Sequence, residues 1–153
     1  MVKEAKAELD AIAEPEARRP EVVALRVGLL QAEERWRELR RYARSLAETE
    51  PGESGWWILW AFAARRAATV RAAEKILLEA EVRHPQDATI QFNLGCYACQ
   101  EGDLSKAKER VLHAIALDSA FLKHALEDPD LQPLRDAEPD WINGGSDATQ
   151  TEA

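Results

Sequence analysis

Two thiols stand three residues apart in Cys96-Tyr97-Ala98-Cys99, a spacing used both to hold zinc and to exchange disulfides. A structural zinc takes four ligands, yet the chain has 2 cysteines in all, and the imidazoles that follow them, His113 and His124, do not stand close in sequence. A redox thiol needs a lowered pKa, commonly supplied by a helix N-terminus, whereas this pair falls inside a continuous helical pattern. Two small, semi-apolar side chains lining a groove are therefore expected, with no metal and no cofactor. His84, His113 and His124 share neither a face nor a metal spacing, and His84 precedes Pro85 at a helix end, where an imidazole can bond the last carbonyls. There is no glycine-rich phosphate loop, and the serines sit in turns without a His and Asp arrangement. The sequence predicts a protein that is not an enzyme.

The elements that carry these residues are helices. Breaks fall at Arg19-Pro20, Glu50-Pro51-Gly52, His84-Pro85 and Asp128-Pro129, and between them apolar residues recur at three and four, as in Val70, Ala73, Ile76, Leu77 and Ala80. No stretch alternates long enough to make a strand. At 153 residues, 46% hydrophobic and 31% charged, the chain is long enough to bury one continuous core without disulfides or metal. No apolar run approaches the ~20 residues that span a bilayer, and Met1-Val2-Lys3-Glu4-Ala5-Lys6 is charged with no apolar stretch behind it, so a cytoplasmic location and no membrane are expected.

Charge is uneven. The total is −8, divided as −3 over residues 1–17, +3 over 18–83 and −8 over 84–153, which argues against nucleic acid as a partner. Residues 35–44 hold Arg35, Arg37, Arg40, Arg41 and Arg44 against Glu38, read as a solvated outer face, with an acidic-partner site as the alternative.

Pro51 and Pro85 are 34 residues apart, and that period aligns 20–53, 54–87 and 88–121 as three pairs of antiparallel helices. The expected pairs are Pro20 to Glu33 with Arg35 to Thr49, Gly55 to Ala67 with Val70 to Arg83, and Ala88 to Glu101 with Leu104 to Leu117. The second unit offers Trp57, Trp60, Ala61, Ala73, Ala80 and Pro85 at its signature places, and the third Gln91, Leu94, Gly95, Ala107, Ala114 and Ser119. In this the chain resembles the tetratricopeptide repeat family. The first unit departs from the pattern, with Val27, Leu39 and Leu46 where small residues are usual. The resemblance implies an all-α, right-handed α-solenoid of about three hairpins. An extra N-terminal helix and linker over 1–19, a C-terminal cap over 122–142 and a flexible tail over 143–153 complete the expected organisation.

The resemblance also implies a concave surface built from the first helix of each pair. In this chain it comprises Ala24 and Gly28; Ile58, Leu59, Phe62, Arg65 and Arg66; and Phe92, Asn93, Cys96, Cys99 and Gln100. Of the family's carboxylate-clamp places, which fall here on Ile58, Phe62, Asn93, Lys123 and Glu127, only Asn93 and Lys123 match, so that ligand is not expected. An apolar groove with a basic edge suits a peptide or helix of a protein partner, in the manner of an adaptor, scaffold or chaperone. The alternatives are a self-associating structural subunit, its groove filled by its own tail or by a second copy in a homodimer, and a cysteine-based metal or redox protein.

Overall fold

In the computed structural model, residues 2–10 and 16–142 are described, and among them every regular element is helical. The α-helices are α1 (Val2–Asp10), α2 (Pro20–Ala32), α3 (Trp36–Thr49), α4 (Ser54–Ala67), α5 (Val70–Arg83), α6 (Ala88–Gln100), α7 (Leu104–Leu117), α8 (Phe121–Glu127) and α9 (Gln132–Ala137), with 3-10 turns at Glu16–Arg18 and Pro129–Leu131. The observed bounds of α2 to α7 lie within a residue of the sequence reading, because cap and breaker residues set them. Of the expected N-terminal helix and linker over 1–19, residues 1 and 11–15 lie outside the described residues, as does the expected tail over 143–153. No helix among the described residues is long and apolar enough to cross a membrane.

Four of the helix starts have a clear local cause. Thr69 Oγ1 accepts from the Ala72 N–H at 3.0 Å, and Asp87 and Asp103 carboxylates accept from the Ile90 and Lys106 N–H groups at 3.1 Å, satisfying donors that a helix start leaves without partners. Pro20 opens α2 at the position where its missing N–H costs nothing. Helix α6 ends on Gly102, whose φ of 88° lies in the left-handed region that glycine enters freely.

Helices adjacent in sequence pack against one another, and small residues decide how closely. Ala61 and Ala73 are fully buried between α4 and α5. Gly95 of α6 faces Ala107 and Val111 of α7, and a Cβ built on it would stand 2.6 Å from Val111 Cγ2 and 3.2 Å from the Ala107 oxygen. In the first pair the corresponding places hold Val27 and Leu39, and α2 meets α3 over a far smaller interface; α3 instead packs broadly on α4. Burial runs in three linked clusters along the chain: Leu30, Leu39 and Ala63; then Trp57, Ala61, Ile76, Leu77, Ile90 and Tyr97; then Phe92, Val111, Leu131, Leu134 and Trp141.

Two polar knots tie neighbouring pairs. The Pro51 carbonyl accepts from Trp57 Nε1 at 3.0 Å and lies 2.9 Å from His84 Nε2. His84 therefore bonds a carbonyl of the loop between α3 and α4 rather than the end of its own helix, and an acceptor-only oxygen requires the proton on Nε2. Gln91 is fully buried: its amide nitrogen donates to Glu81 at 2.5 Å and its amide oxygen accepts from Arg110 at 2.8 Å, while Arg110 also pairs with Glu81. This joins α5, α6 and α7.

Candidate functional site

Helix α4 is apolar nearly all round, so its faces are told apart by side-chain size. Ala61, Ala63 and Ala64 face inward and let α3 and α5 approach, which leaves Ile58, Leu59, Phe62, Arg65 and Arg66 on the remaining side at helical spacing. They form one wall of an open hollow of about 700 Å³. Asn93, Cys96 and Tyr97 of α6 supply the opposite wall, Gln31 of α2 and Gly55 stand at the margins, and Asp128, Pro129 and Asp130 close one end. Seven of the twelve residues expected in a groove meet here: Ile58, Leu59, Phe62, Arg65, Arg66, Asn93 and Cys96.

The other five are placed elsewhere. Ala24 lines a separate hollow of about 660 Å³ with Val23, Val27, Leu46 and Trp56, between α2, α3 and the start of α4. Gly28 is exposed on α2, with nothing within 4 Å of a Cβ built on it. Phe92 is buried, its ring 5.1 Å from Phe121 and 6.2 Å from His124. Cys99 is buried in the cluster with Leu131 and Leu134. Gln100 is exposed at the rim and donates from its side-chain amide to the Asp130 carbonyl at 2.8 Å. The reason is common to Phe92, Cys99 and Gln100. After α7 the chain turns back through α8, the 3-10 turn and α9, and this segment covers that face of α6.

That returning segment brings in three residues that had been read only as part of a cap. The Arg65 guanidinium closes on the Asp130 carboxylate with two hydrogen bonds, of 2.6 and 2.8 Å, and lies 5.8 Å over the Tyr97 ring. The hydrogen bonds that Arg65 donates to Asp130 raise the Arg65 pKa above its ordinary value. Asp128 caps the 3-10 turn by accepting from the Asp130 N–H at 2.9 Å. The sequence signal for this turn was Asp128-Pro129-Asp130 itself, an N-cap followed by proline; its landing place, 65 residues from Arg65, had no signal.

The thiols are separated by their surroundings. Burial, then the charges of Asp128 and Asp130, push the Cys96 thiol far above its ordinary value, and burial raises Cys99 as well. Both remain protonated at neutral pH, the form poor in nucleophilicity and metal binding. Cys96 Sγ and one oxygen each from Asp128 and Asp130 lie within 4.8 Å of one another, a donor set that fits a cation in kind. The positive charge in that cluster is already supplied by Arg65, which holds both oxygens of Asp130. Burial likewise pushes the Tyr97 phenol up to about 12, so the wall of the hollow stays uncharged at this position.

At the other end, the Arg66 guanidinium lies 5.2 Å over the Trp36 ring and 5.3 Å over Phe62, and these two rings meet edge-on at 5.7 Å. Phe62 is 36% exposed, a large apolar surface left open to solvent between two arginines. The hollow is thus apolar along α4, with Arg66 at one end and the Arg65 and Asp130 pair at the other. No protein family's sequence profile matches the chain, and no curated protein matches it.

Proposed function

We propose that this chain is a non-catalytic protein-interaction module whose helix pairs stack every thirty-four residues as a tetratricopeptide-type array, and that the hollow beside α4 and α6 receives a peptide or helical segment of a partner protein. The observation that carries the reading is the open hollow of about 700 Å³ walled by Ile58, Leu59 and Phe62. Apolar side chains left exposed in a concavity lower free energy when a ligand covers them, at about 25 cal/mol per Å² of apolar surface. A few aromatic anchors then supply most of the affinity.

The stacking reading is supported by matched turns. The N–H of Arg35 bonds the Leu30 carbonyl and the N–H of Asp103 bonds the Ala98 carbonyl, both at 2.9 Å and two periods apart. It is supported too by alternation, since the hollow, apart from Asp128, Pro129 and Asp130, takes its lining from α2, α4 and α6 and from neither α3 nor α5. Two free cysteines suit a reducing, cytoplasmic setting.

The test is selection of displayed peptides on the folded protein, with Phe62→Glu as the counter-target. Phe62 is exposed enough for the substitution to leave the fold intact, which circular dichroism checks. Binders that lose at least about tenfold in affinity on Phe62→Glu support the groove. A selection that yields no binders, or only binders indifferent to Phe62→Glu, overturns it, and a concentration-dependent dimer that blocks selection would instead assign the groove to a second copy.

A further inference from the structure

Helix α4 ends in two adjacent arginines with opposite fates. Arg65 is neutralised by Asp130 through two hydrogen bonds. Arg66 has no carboxylate partner among the described residues; its guanidinium is held instead by two aromatic faces, Trp36 and Phe62, at 5.2 and 5.3 Å. A guanidinium stacked on rings keeps the N–H groups of its edge free, and the stacking removes much of the rotamer freedom that an arginine loses when it binds an anion. The cation is therefore preorganised at the margin of the apolar wall formed by Ile58, Leu59 and Phe62.

The charges around it set what it can receive. Asp130 is committed to Arg65, and Asp128 stands with it at the far end. Arg35 and Arg37 line the neighbouring hollow together with Arg66, against Glu34 and Glu38, and Glu38 is already paired with Lys6 and Arg35, so this end of the surface keeps a net positive charge. The pattern is one positive end, a greasy middle and an acidic far end, which repels a polyanion along its length but accommodates one carboxylate beside an apolar anchor.

We infer that Arg66 reads an aspartate or glutamate side chain of the partner segment, next to an apolar residue that sits on Phe62. This rests on the groove reading above and adds the chemistry of its ligand: a protein segment carrying an acidic side chain next to an aliphatic or aromatic one.

The experiment uses synthetic peptides taken from Phe62-dependent binders, titrated by fluorescence anisotropy into the wild-type chain and into Arg66→Gln. Replacing the acidic side chain by its amide is expected to weaken binding to the wild type about tenfold, as is Arg66→Gln with the unaltered peptide. Both changes together should cost little more than either alone, because they remove the same pair. Peptides that need Phe62 yet are indifferent to Arg66→Gln and to loss of their acids overturn the acid-reading role and leave the groove standing; loss of Phe62 dependence overturns the groove itself. If amidating the peptide C-terminus produces the loss in place of the side-chain change, the carboxylate has been assigned to the wrong source. A short single-stranded RNA that displaces the peptide through Arg66 would overturn the assignment to a protein segment.

Discussion

Glu34 and Gly102, 68 residues apart, both hold the backbone in the left-handed region, at φ of 55° and 88°. The residue after each donates to the carbonyl five residues before itself, Arg35 to Leu30 and Asp103 to Ala98, so two turns 68 residues apart close in the same way. The turn between α4 and α5 lies midway and does not: Ala68 stands at φ −140°. Only one of the two left-handed sites has the residue suited to it. A side chain costs about 1 kcal/mol there, while glycine enters the region freely at some cost in unfolded-state entropy.

The two positions therefore respond with opposite signs. Glu34→Gly is expected to stabilise the chain by about 0.5 kcal/mol, and Gly102→Ala to destabilise it by about 1 kcal/mol. Urea unfolding of both variants reads the difference, and a shift in the same direction for both would show that the left-handed turn is not what sets their stability.

Gly95→Ala should destabilise the chain by about 1–3 kcal/mol although alanine is the better helix former. The new methyl would stand 2.6 Å from Val111 Cγ2, 3.2 Å from the Ala107 oxygen and 3.3 Å from Arg110 Cβ, and one of those contacts is with backbone that cannot rotate away. The helix propensity gain of about 1 kcal/mol is smaller than the overpacking cost. Thermal unfolding decides it; a Gly95→Ala chain as stable as the parent would mean that α6 and α7 part easily.

Arg65 and Asp130 couple the groove to the returning C-terminal segment. Both side chains are about a quarter exposed, so the pair is screened less than a surface pair but is not dry. A double-mutant cycle with Arg65→Ala and Asp130→Ala is expected to show a coupling of about 1–2 kcal/mol. Each single variant should also speed protease cleavage near Pro129. A coupling near zero would reduce the pair to an incidental surface contact.

What was legible in the sequence was whatever depends on near neighbours. Helix bounds followed from the breaks at Pro20, Pro51-Gly52 and Pro85, to which the structure adds the caps Thr69, Asp87 and Asp103, and the close approach of α6 and α7 from Gly95 and Ala107, since breakers and small residues act within a few positions. The looseness of the first pair was legible in part, through Val27 and Leu39 at places where alanine permits contact. The groove was half legible. Spacing on α4 put Ile58, Phe62 and Arg66 on one side, and in the structure they line one hollow, because that helix is internal and the period governs it. Phe92 and Cys99 have equivalent spacing on α6, but α6 is covered by Leu131 and Leu134 from a segment whose path depends on packing and has no period to reveal it. The same segment delivers Asp130 to Arg65.

The Glu81, Gln91 and Arg110 knot gives a pH test with a definite sign. Burial alone would raise the Glu81 pKa, but hydrogen bonds from Arg110 and Gln91 outweigh it and hold the carboxyl below its ordinary value. A group whose folded pKa is depressed contributes stability that is complete above its unfolded pKa, about 4.3 for glutamate, and is lost as pH falls through the lower folded value. Glu81→Gln keeps an acceptor for Gln91 yet removes the charge that Arg110 pairs with, so at pH 7 it should lower stability by about 1–3 kcal/mol. Other carboxylates titrate in both chains and cancel in the difference between them. Urea midpoints at pH 7 and near pH 3 should therefore show the gap narrowing on acidification, as the parent's Glu81 becomes as neutral as the glutamine. A gap of constant size would assign the loss to altered packing around Gln91, which is fully buried, rather than to the ion pair.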